Sequence, residues 1–157
     1  MPELATFDDL ATLIAFQEAA YAGNRAIKGV EPLPLQVDYR DILARMEVWI
    51  DGPKAEPNGV IILDLDHEPT GTELFLWSIA TAPKARGTGL GNALLDFVEN
   101  RARALGRSAV SLATNSRLKD RIAWYQRRGF TISHYEELPD RTLVGMRKTC
   151  LLYTSDA

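Results

Sequence analysis

Three glycines within five residues, Gly87, Gly89 and Gly91, join two patterned segments, and this junction constrains the fold more than any other part of the chain. Upstream, residues 74–80 are almost all apolar, which is typical of a buried strand. Downstream, apolar residues recur at helical spacing: Leu90, Ala93, Leu94, Phe97, Val98, Ala102 and Leu105. The first backbone N–H groups of a helix are unpaired and stabilise an anion, and glycines let the anion approach the main chain. The junction therefore predicts a phosphate-binding loop between a strand and a helix.

Two other glycine-rich phosphate loops do not fit this junction. A P-loop needs a lysine directly after its last glycine, and none follows Gly91. The dinucleotide-binding fingerprint needs a wider spacing to its third glycine and an acidic residue roughly 20 positions further on. The next predicted strand, residues 108–114, carries no acid. A glycine-rich turn that binds nothing stays open as the alternative reading of the junction itself.

The segment from Arg86 to Gly91 has the spacing Arg-x-x-Gly-x-Gly, which resembles the motif that the GNAT N-acetyltransferase superfamily uses to hold the pyrophosphate of coenzyme A. Residues 123–130 are similar to a later motif of that family, which ends in Tyr-x-x-x-Gly-Phe. Gly129 is a natural C-terminal cap for the short helix predicted there. The resemblance runs from about Leu4 to Lys148 and implies one N-acetyltransferase domain, residues 1–149.

The resemblance implies an α/β fold, the GNAT acetyltransferase fold: a mixed central sheet, splayed between its fourth and fifth strands and flanked by about four helices. The predicted order agrees: helix, helix, three strands, helix, strand, helix and two strands, with a short strand before the first helix. Thr6 and Asp9 predict a capping box for the first helix, and Asp38 predicts the cap of the second. The segment 23–37 is rich in Gly and Pro and is expected to be an ordered loop.

Short strand and turn signals fill in the rest of the chain. Residues 48–50 and 60–63 are expected to pair as a hairpin. Residues 130–136 and 142–147 are predicted strands with Pro139-Asp140 as the turn between them.

The resemblance also implies where acetyl-CoA binds. The backbones of Ile79 and Thr81 would pair with the pantetheine arm, and an N–H near Ile79 or Ala80 would polarise the thioester carbonyl. Asn115 and Arg121 are implied at the cofactor as well, although many relatives have Asn at the second position, and an arginine there could instead be exposed. The residues implied at the pyrophosphate are Arg86, Gly87, Thr88, Gly89, Leu90, Gly91 and Asn92. No metal is implied.

Acetyl transfer to an amine sets two chemical requirements. An amine with a pKa near 10.4 is almost fully protonated at pH 7, so a base or a water chain must remove a proton. The departing thiolate benefits from a donor, for which Tyr125 is the candidate; its alternative role is packing. Many relatives place a Glu where this chain has Trp77, which would instead form a wall of the acceptor pocket. Glu73, His67 and His134 are the remaining candidate bases, each with a bystander role as the alternative.

These features predict an acyltransferase that moves an acetyl group from acetyl-CoA to the amine of a small or amino-acid-like molecule. Residues 29–35 fall where the family commonly builds its acceptor pocket. A protein N-terminus or a lysine side chain is the alternative acceptor. A module that binds acetyl-CoA without transferring its acetyl group is the alternative function, and Trp77 at the usual Glu position keeps that alternative open.

Composition narrows the partners. A net charge of −3 over 157 residues argues against nucleic acid, which needs clustered Lys and Arg. No apolar run approaches the roughly 18 residues that span a bilayer, and the first four residues do not resemble a signal peptide. We therefore expect a cytoplasmic protein without membrane contact, as a monomer or a homodimer.

The last eight residues, 150–157, resemble the translation of a sequencing adapter joined in frame to the gene. A genuine short tail is the alternative. In either case a catalytic or disulfide role for Cys150 is not expected. Cutting after Thr149 is expected to leave stability and cofactor affinity unchanged.

Overall fold

The computed structural model describes residues 2–28, 30–68 and 70–150. Within them the chain forms four α-helices and seven β-strands, in the order that the sequence predicts. The helices are α1 (Leu10–Lys28), α2 (Tyr39–Arg45), α3 (Leu90–Ala104) and α4 (Lys119–Arg127). The strands are β1 (Glu3–Leu4), β2 (Glu47–Asp51), β3 (Gly59–Asp64), β4 (Glu73–Thr81), β5 (Ala109–Asn115), β6 (Thr131–Leu138) and β7 (Arg141–Thr149). Short 3-10 turns lie at Phe7–Asp9, Leu33–Leu35 and Pro83–Ala85.

The strands form one mixed sheet in the order β1-β2-β3-β4-β5-β7-β6. Neighbouring strands are antiparallel except β4 and β5, which are parallel and are joined through α3. A parallel pair needs such a crossover, whereas the antiparallel β2–β3 and β6–β7 pairs need only the predicted turns. The predicted mixed α/β sheet and both hairpins are confirmed.

Helices cover the two faces of the sheet unequally. On one face α3 and α4 pack on strands β3, β4, β5 and β7, with Leu95, Val98 and Val110 fully buried between them. On the other face α1 and α2 pack on β2, β3 and β4, where Leu13 and Ile62 are fully buried. On this second face the buried cluster takes its strand residues from β2, β3 and β4. The surface of β5, β7 and β6 on that face is therefore left to line a cavity.

The predicted helix caps are present. The Asp9 carboxylate accepts a hydrogen bond from the Thr6 N–H at 2.8 Å, and the Asp38 carboxylate accepts one from the Arg40 N–H at 2.9 Å. Gly129 follows α4 with a φ of +96°, a left-handed conformation that other residues rarely adopt. These caps fix where α1, α2 and α4 begin or end.

One boundary differs from the prediction. The loop expected from residue 23 begins later, because α1 continues through Gly23 to Lys28. An interior glycine costs a helix only about 1 kcal/mol. Two residues after Gly23, Arg25 forms two ion pairs. Its guanidinium lies 2.7 Å from Glu18 and 2.5 Å from Glu31. Gly29 lies outside the described residues.

The end of β7 brings a second correction. Cys150 is only 3 % exposed and belongs to the core that α3 covers, and its N–H donates to the Ser108 carbonyl at 2.7 Å. Burial raises the pKa of its thiol, which makes the thiolate less accessible. These contacts of Cys150 were not predicted from the sequence, and they bear against the expectation that a cut after Thr149 leaves stability unchanged. Residues 151–157 lie outside the described residues.

None of the helices in the described residues is both long and apolar enough to cross a membrane.

Candidate active site

The central feature of the site is a cleft between β4 and β5. The two strands pair only from Glu73 to Leu76 on β4, opposite Ala109 to Leu112 on β5. Both strands continue beyond this point without pairing with each other, so the sheet splays as expected. Trp77 is an extra residue on β4, since the register to β3 shifts across it, and such a bulge bends a strand away from its neighbour.

The backbone of β4 alternates between β3 and the cleft. The Ala82 N–H donates to the Asn58 carbonyl at 2.8 Å, so by the two-residue period Ala80 also turns its backbone groups toward β3. Ile79 and Thr81 therefore turn theirs toward the cleft. The Ile79 carbonyl lies 3.4 Å from the hydroxyl of Tyr21. This alternation leaves Ile79, and not Ala80, with an amide that faces the cleft.

The bulge also places two successive side chains on the face that α1 covers. Trp77 packs against the α1–α2 cluster, with its ring 6.4 Å from that of Tyr39. The Ser78 hydroxyl lies 2.8 Å from the Tyr21 hydroxyl and accepts from the Gln17 amide at 3.3 Å. The sequence reasoning missed this buried polar network. The sequence feature that indicates this network is the presence of polar atoms on the apolar face of α1.

Helix α4 brings two further groups to the cleft from the opposite face. Tyr125 is 3 % exposed and packs edge-on against Phe130, with ring centroids 5.5 Å apart. One turn earlier, Arg121 points its guanidinium at the Ile79 carbonyl, 3.5 Å away, and over the Tyr21 ring. Burial raises the pKa of the Tyr125 phenol to about 12, against the opposing effect of the Arg121 charge. The phenol is therefore a proton-bearing donor throughout the neutral range.

The glycine junction forms an exposed loop that leads into α3. Gly87 and Gly89 have φ angles of +78° and +84°, and Gly89 is the residue directly before the helix. An added Cβ would meet no atom within 4 Å at either position, so the backbone there is open to a ligand. The Thr88 hydroxyl donates to the Ala85 carbonyl, and Arg86 donates to the Ala20 carbonyl at 2.9 Å. Arg86 thus ties the loop to α1.

The remaining predicted cofactor residues lie close to the loop and the cleft, and some also have structural partners. The Asn92 amide oxygen accepts from the Trp124 indole at 2.8 Å, which joins the first turn of α3 to α4. Gly91 also lies beside the Trp124 ring, and Leu90 packs on the core. Asn115 ends β5 and is buried, and its amide oxygen accepts from the Arg117 N–H at 2.9 Å.

A cavity of about 650 Å³ opens from the cleft over the uncovered face of β5, β7 and β6. Strand register fixes which side chains face it: Phe75 on β4 lies opposite Ser111 on β5, which lies opposite Arg147 on β7. Leu33 and Pro34, from the predicted pocket segment, line it from the α1–α2 connection. We call this cavity the acceptor chamber, after the role that we propose for it.

All three candidate bases line the acceptor chamber. The Glu73 carboxylate is held by the Arg147 guanidinium at 2.9 Å. The His67 ring stacks on Phe75 at a centroid distance of 3.6 Å. The His134 Nδ1 lies 2.8 Å from the neighbouring Ser133 hydroxyl.

The His134 imidazole lies directly over Gly145, where a Cβ would overlap it. Trp77 lines the same cavity. In the described part of the chain, no group of three or more His, Cys, Asp or Glu side chains is arranged to hold a metal ion.

Known proteins share both the sequence pattern and the fold. Residues 16–130 match the acetyltransferase (GNAT) family. The chain is 25% identical to an S-alkylcysteine N-acetyltransferase of Bacillus subtilis (strain 168), over 94% of this chain and 88% of that protein. The fold resembles the ribosomal-protein-S18-alanine N-acetyltransferase of Escherichia coli, with a TM-score of 0.74, 16% identity and coverage of 100% and 99% of the two chains. It also resembles yncA of Salmonella typhimurium, solved with its cofactor acetyl-CoA, with a TM-score of 0.70, 17% identity and coverage of 99% and 96%.

The family match covers more than half of the chain and includes the glycine loop, the cleft and Tyr125. The splayed mixed sheet and the four helices have the arrangement of that family. The chain therefore belongs to the GNAT acetyltransferase family, whose members use acetyl-CoA, and it is an N-acetyltransferase.

Proposed function

We propose that this enzyme transfers the acetyl group of acetyl-CoA directly to the primary amine of a small, amino-acid-like acceptor, without an acyl-enzyme intermediate. One observation carries the proposal: the open edge of β4 at Ile79 and the Tyr125 phenol border the same cavity as the polar side chains of the acceptor chamber. The relative that acts on S-alkylcysteine supports an acceptor of this class.

The residues present fit two parts of acetyl-CoA, the pyrophosphate and the pantetheine arm. Gly87 and Gly89 leave open space where other residues carry a Cβ, next to the unpaired N–H groups that begin α3. This arrangement suits the pyrophosphate. Ile79 and Thr81 present a strand edge without a partner strand among the described residues, which suits the extended pantetheine arm. Arg86 and Arg121 add positive charge near these two places.

Acetyl-CoA supplies a thioester whose carbonyl carbon the amine attacks. In this reaction an N–C bond forms, the C–S bond breaks, and the amine loses one proton. The N–H of Ile79 faces the cleft and would donate to the thioester oxygen as negative charge develops on it. Because this donor belongs to the backbone of a packed strand, it needs no reorganisation during the reaction.

Tyr125 would act on the leaving thiolate by donating a hydrogen bond. Its phenol has a pKa of about 12, whereas a thiol has a pKa near 8.5. Complete proton transfer from the phenol to the thiolate would thus be unfavourable. Hydrogen-bond donation stabilises the thiolate without that cost. The proton that ends on the thiol is the one that the attacking amine nitrogen loses as the N–C bond forms and the C–S bond breaks.

The proton of the acceptor ammonium must leave before attack. Glu73, His67 and His134 all line the acceptor chamber and remain the candidate bases, acting directly or through water. Glu73 is engaged with Arg147, so its carboxylate is already partly neutralised. The His67 ring stacks on Phe75, and the His134 ring lies over Gly145, so each imidazole has a packing partner in the chamber wall.

A thiol-release assay over a panel of amines, beside calorimetry with acetyl-CoA, tests the proposal. The panel includes free amino acids, simple alkylamines, an N-terminal peptide and a lysine peptide. We expect acetyl-CoA to bind and thiol to be released with free amino acids. Turnover with the peptides alone would indicate that the acceptor is a protein and not a small molecule. Binding without turnover on any amine would favour a sensor of acetyl-CoA over an enzyme.

A further inference from the structure

Arg141 is a buried cation at the first position of β7. Its side chain is only 2% exposed, and it borders the acceptor chamber. A guanidinium stays charged at any physiological pH, and a buried charge is costly unless its donors are satisfied. The partners of Arg141 therefore indicate what the chamber is built to hold.

Three of the five N–H donors of Arg141 have partners. The Nε donates to one carboxylate oxygen of Asp140 at 3.0 Å, and Nη2 donates to the other at 2.8 Å. The second hydrogen of Nη2 reaches the Glu31 carbonyl at 2.9 Å. The two N–H groups of Nη1 are buried and have no partner among the described residues. The fixed orientation of the other three donors also fixes the direction of Nη1.

The register of β7 places Arg141 near the open end of the cleft. Leu143 lies opposite Asn115, the last residue of β5, and Arg141 is two residues further along, on the same face. The contact with the Glu31 carbonyl joins this end of β7 to the segment that carries Leu33, another chamber residue. Arg141 is thereby on the acceptor side of the splayed sheet.

We propose that Nη1 of Arg141 binds the carboxylate of the acceptor, and that the acceptor is therefore a free amino acid. This inference rests on the proposed acetyl transfer. A carboxylate is the planar anion that a guanidinium pairs with best, and one of its oxygens would accept a hydrogen bond from Nη1.

The same chamber holds the carboxylates of Asp64, Glu73 and Glu136, which favour a cation. A zwitterion matches this mixture of charges, whereas a peptide N-terminus has no carboxylate next to its amine. The chamber wall also has the apolar side chains of Phe75 and Trp77, which suit an apolar side chain on the amino acid.

The first test uses the wild-type enzyme, so its result does not depend on whether a variant folds. The values of kcat/KM are compared for S-methyl-L-cysteine, its methyl ester and its amide. We expect the free acid to exceed both by about 10–150-fold, the scale of a hydrogen bond to a charged group. Esters and amides used as well as the acid would overturn the inference and leave the proposed acetyl transfer standing. No transfer to any of the three would instead count against the proposed function.

Variants assign the effect to Arg141. Arg141→Gln should lose the preference for the free acid, so that its kcat/KM values for the acid and the methyl ester become similar, and Arg141→Lys should keep part of the preference. Arg147→Gln is the matched control, because Arg147 also lines the chamber but has Glu73 as its partner. If Arg147→Gln removes the preference and Arg141→Gln does not, the carboxylate site is at Arg147 and the inference is wrong.

Discussion

The cleft between β4 and β5, with the glycine loop beside it, and the acceptor chamber are adjacent but are built from different kinds of sequence information. The cleft uses the backbone: six contiguous residues from Arg86 to Gly91, and the open edge of β4. The chamber uses side chains brought together from distant parts of the chain, as in the contact of Arg141 with the Glu31 carbonyl, 110 residues apart. Backbone binding depends on glycine and strand geometry and tolerates change in other side chains. A chamber made of side chains can change its acceptor through single substitutions.

The largest effect is expected from a substitution in the glycine loop, where the backbone is proposed to bind the cofactor. Gly89→Val adds a bulky side chain where φ is +84°, at the N-terminus of α3, and should abolish measurable acetyl-CoA binding. The left-handed conformation costs about 1–2 kcal/mol, which a folded domain can tolerate. Calorimetry with acetyl-CoA and circular dichroism give the two readouts.

Gly106→Val is the matched control for this prediction. Gly106 has a φ of +71° and equally open surroundings, but it follows the C-terminus of α3. The Gly106→Val variant should lose about as much stability as Gly89→Val but keep the wild-type affinity for acetyl-CoA. Equal affinities for acetyl-CoA in the two variants would show that the glycine loop does not hold the cofactor.

The next largest effect should come from removing the Tyr125 hydroxyl, which lies where the cleft meets the acceptor chamber. Tyr125→Phe keeps the packing against Phe130 and should keep acetyl-CoA affinity, but should lower kcat by at least about 10²-fold. Tyr135→Phe, on an exposed tyrosine, is the control and should be silent. A Tyr125→Phe variant with kcat within twofold of wild type would reduce Tyr125 to packing.

The pH dependence sharpens the same point. Because burial raises the pKa of the Tyr125 phenol to about 12, the phenol stays protonated as the pH rises from 7 to 9. In that range the rate should rise as the acceptor ammonium loses its proton. Wild type and Tyr125→Phe should therefore give parallel profiles of log(kcat/KM). A falling limb in wild type alone, below pH 10, would contradict the assigned protonation state.

A smaller effect is expected for Arg86, whose side chain supports the glycine loop. Arg86→Ala removes a cation beside the loop and its tie to the Ala20 carbonyl, while the donors of α3 remain. We expect the affinity for acetyl-CoA to fall by about 1–3 kcal/mol. Lys84→Ala removes a neighbouring exposed cation that pairs with Glu56, and it should have a weaker effect. Equal losses in both variants would mean that Arg86 acts only through general positive charge.

The smallest effect separates the domain from its tail. Cutting after Cys150 should leave the melting temperature unchanged, whereas cutting after Thr149 removes a buried side chain and a backbone hydrogen bond to Ser108. A loss of about 1–2 kcal/mol should lower the melting temperature by roughly 2–8 °C in a domain of this size. Both truncations should keep acetyl-CoA affinity. Identical melting curves for the two would show that the contacts of Cys150 are not stabilising.

The contrast between the two halves also explains what could be predicted from sequence. The loop was predictable because its glycines, the strand before it and the helix after it are adjacent in sequence, and the positive φ angles of Gly87 and Gly89 match that pattern. The order of elements was predictable for the same local reasons. Roles in binding acetyl-CoA, a cytoplasmic location and the oligomeric state stay predictions.

The chamber was much less predictable. Arg141 stands next to the predicted Pro139-Asp140 turn and looks like an ordinary surface residue until the fold buries it. The extension of α1 past Gly23 was not predicted from the sequence. Arg25 pairs with Glu18 and Glu31, and sequence rules for helices and loops do not relate residues at these spacings. The bulge at Trp77 explains why Trp77 and Ser78 share a face, which strict alternation would not predict.

The most direct test of the central claim is the stoichiometry of one reaction. Wild-type enzyme is mixed with acetyl-CoA and S-methyl-L-cysteine, and free thiol and N-acetylated product are measured together by mass spectrometry. Direct transfer within the joined cleft and chamber predicts one N-acetyl amino acid for each thiol released, and no thiol release before the acceptor is added. Thiol released without acceptor, or acetyl-CoA bound with no N-acetylated product from any free amino acid, would contradict it.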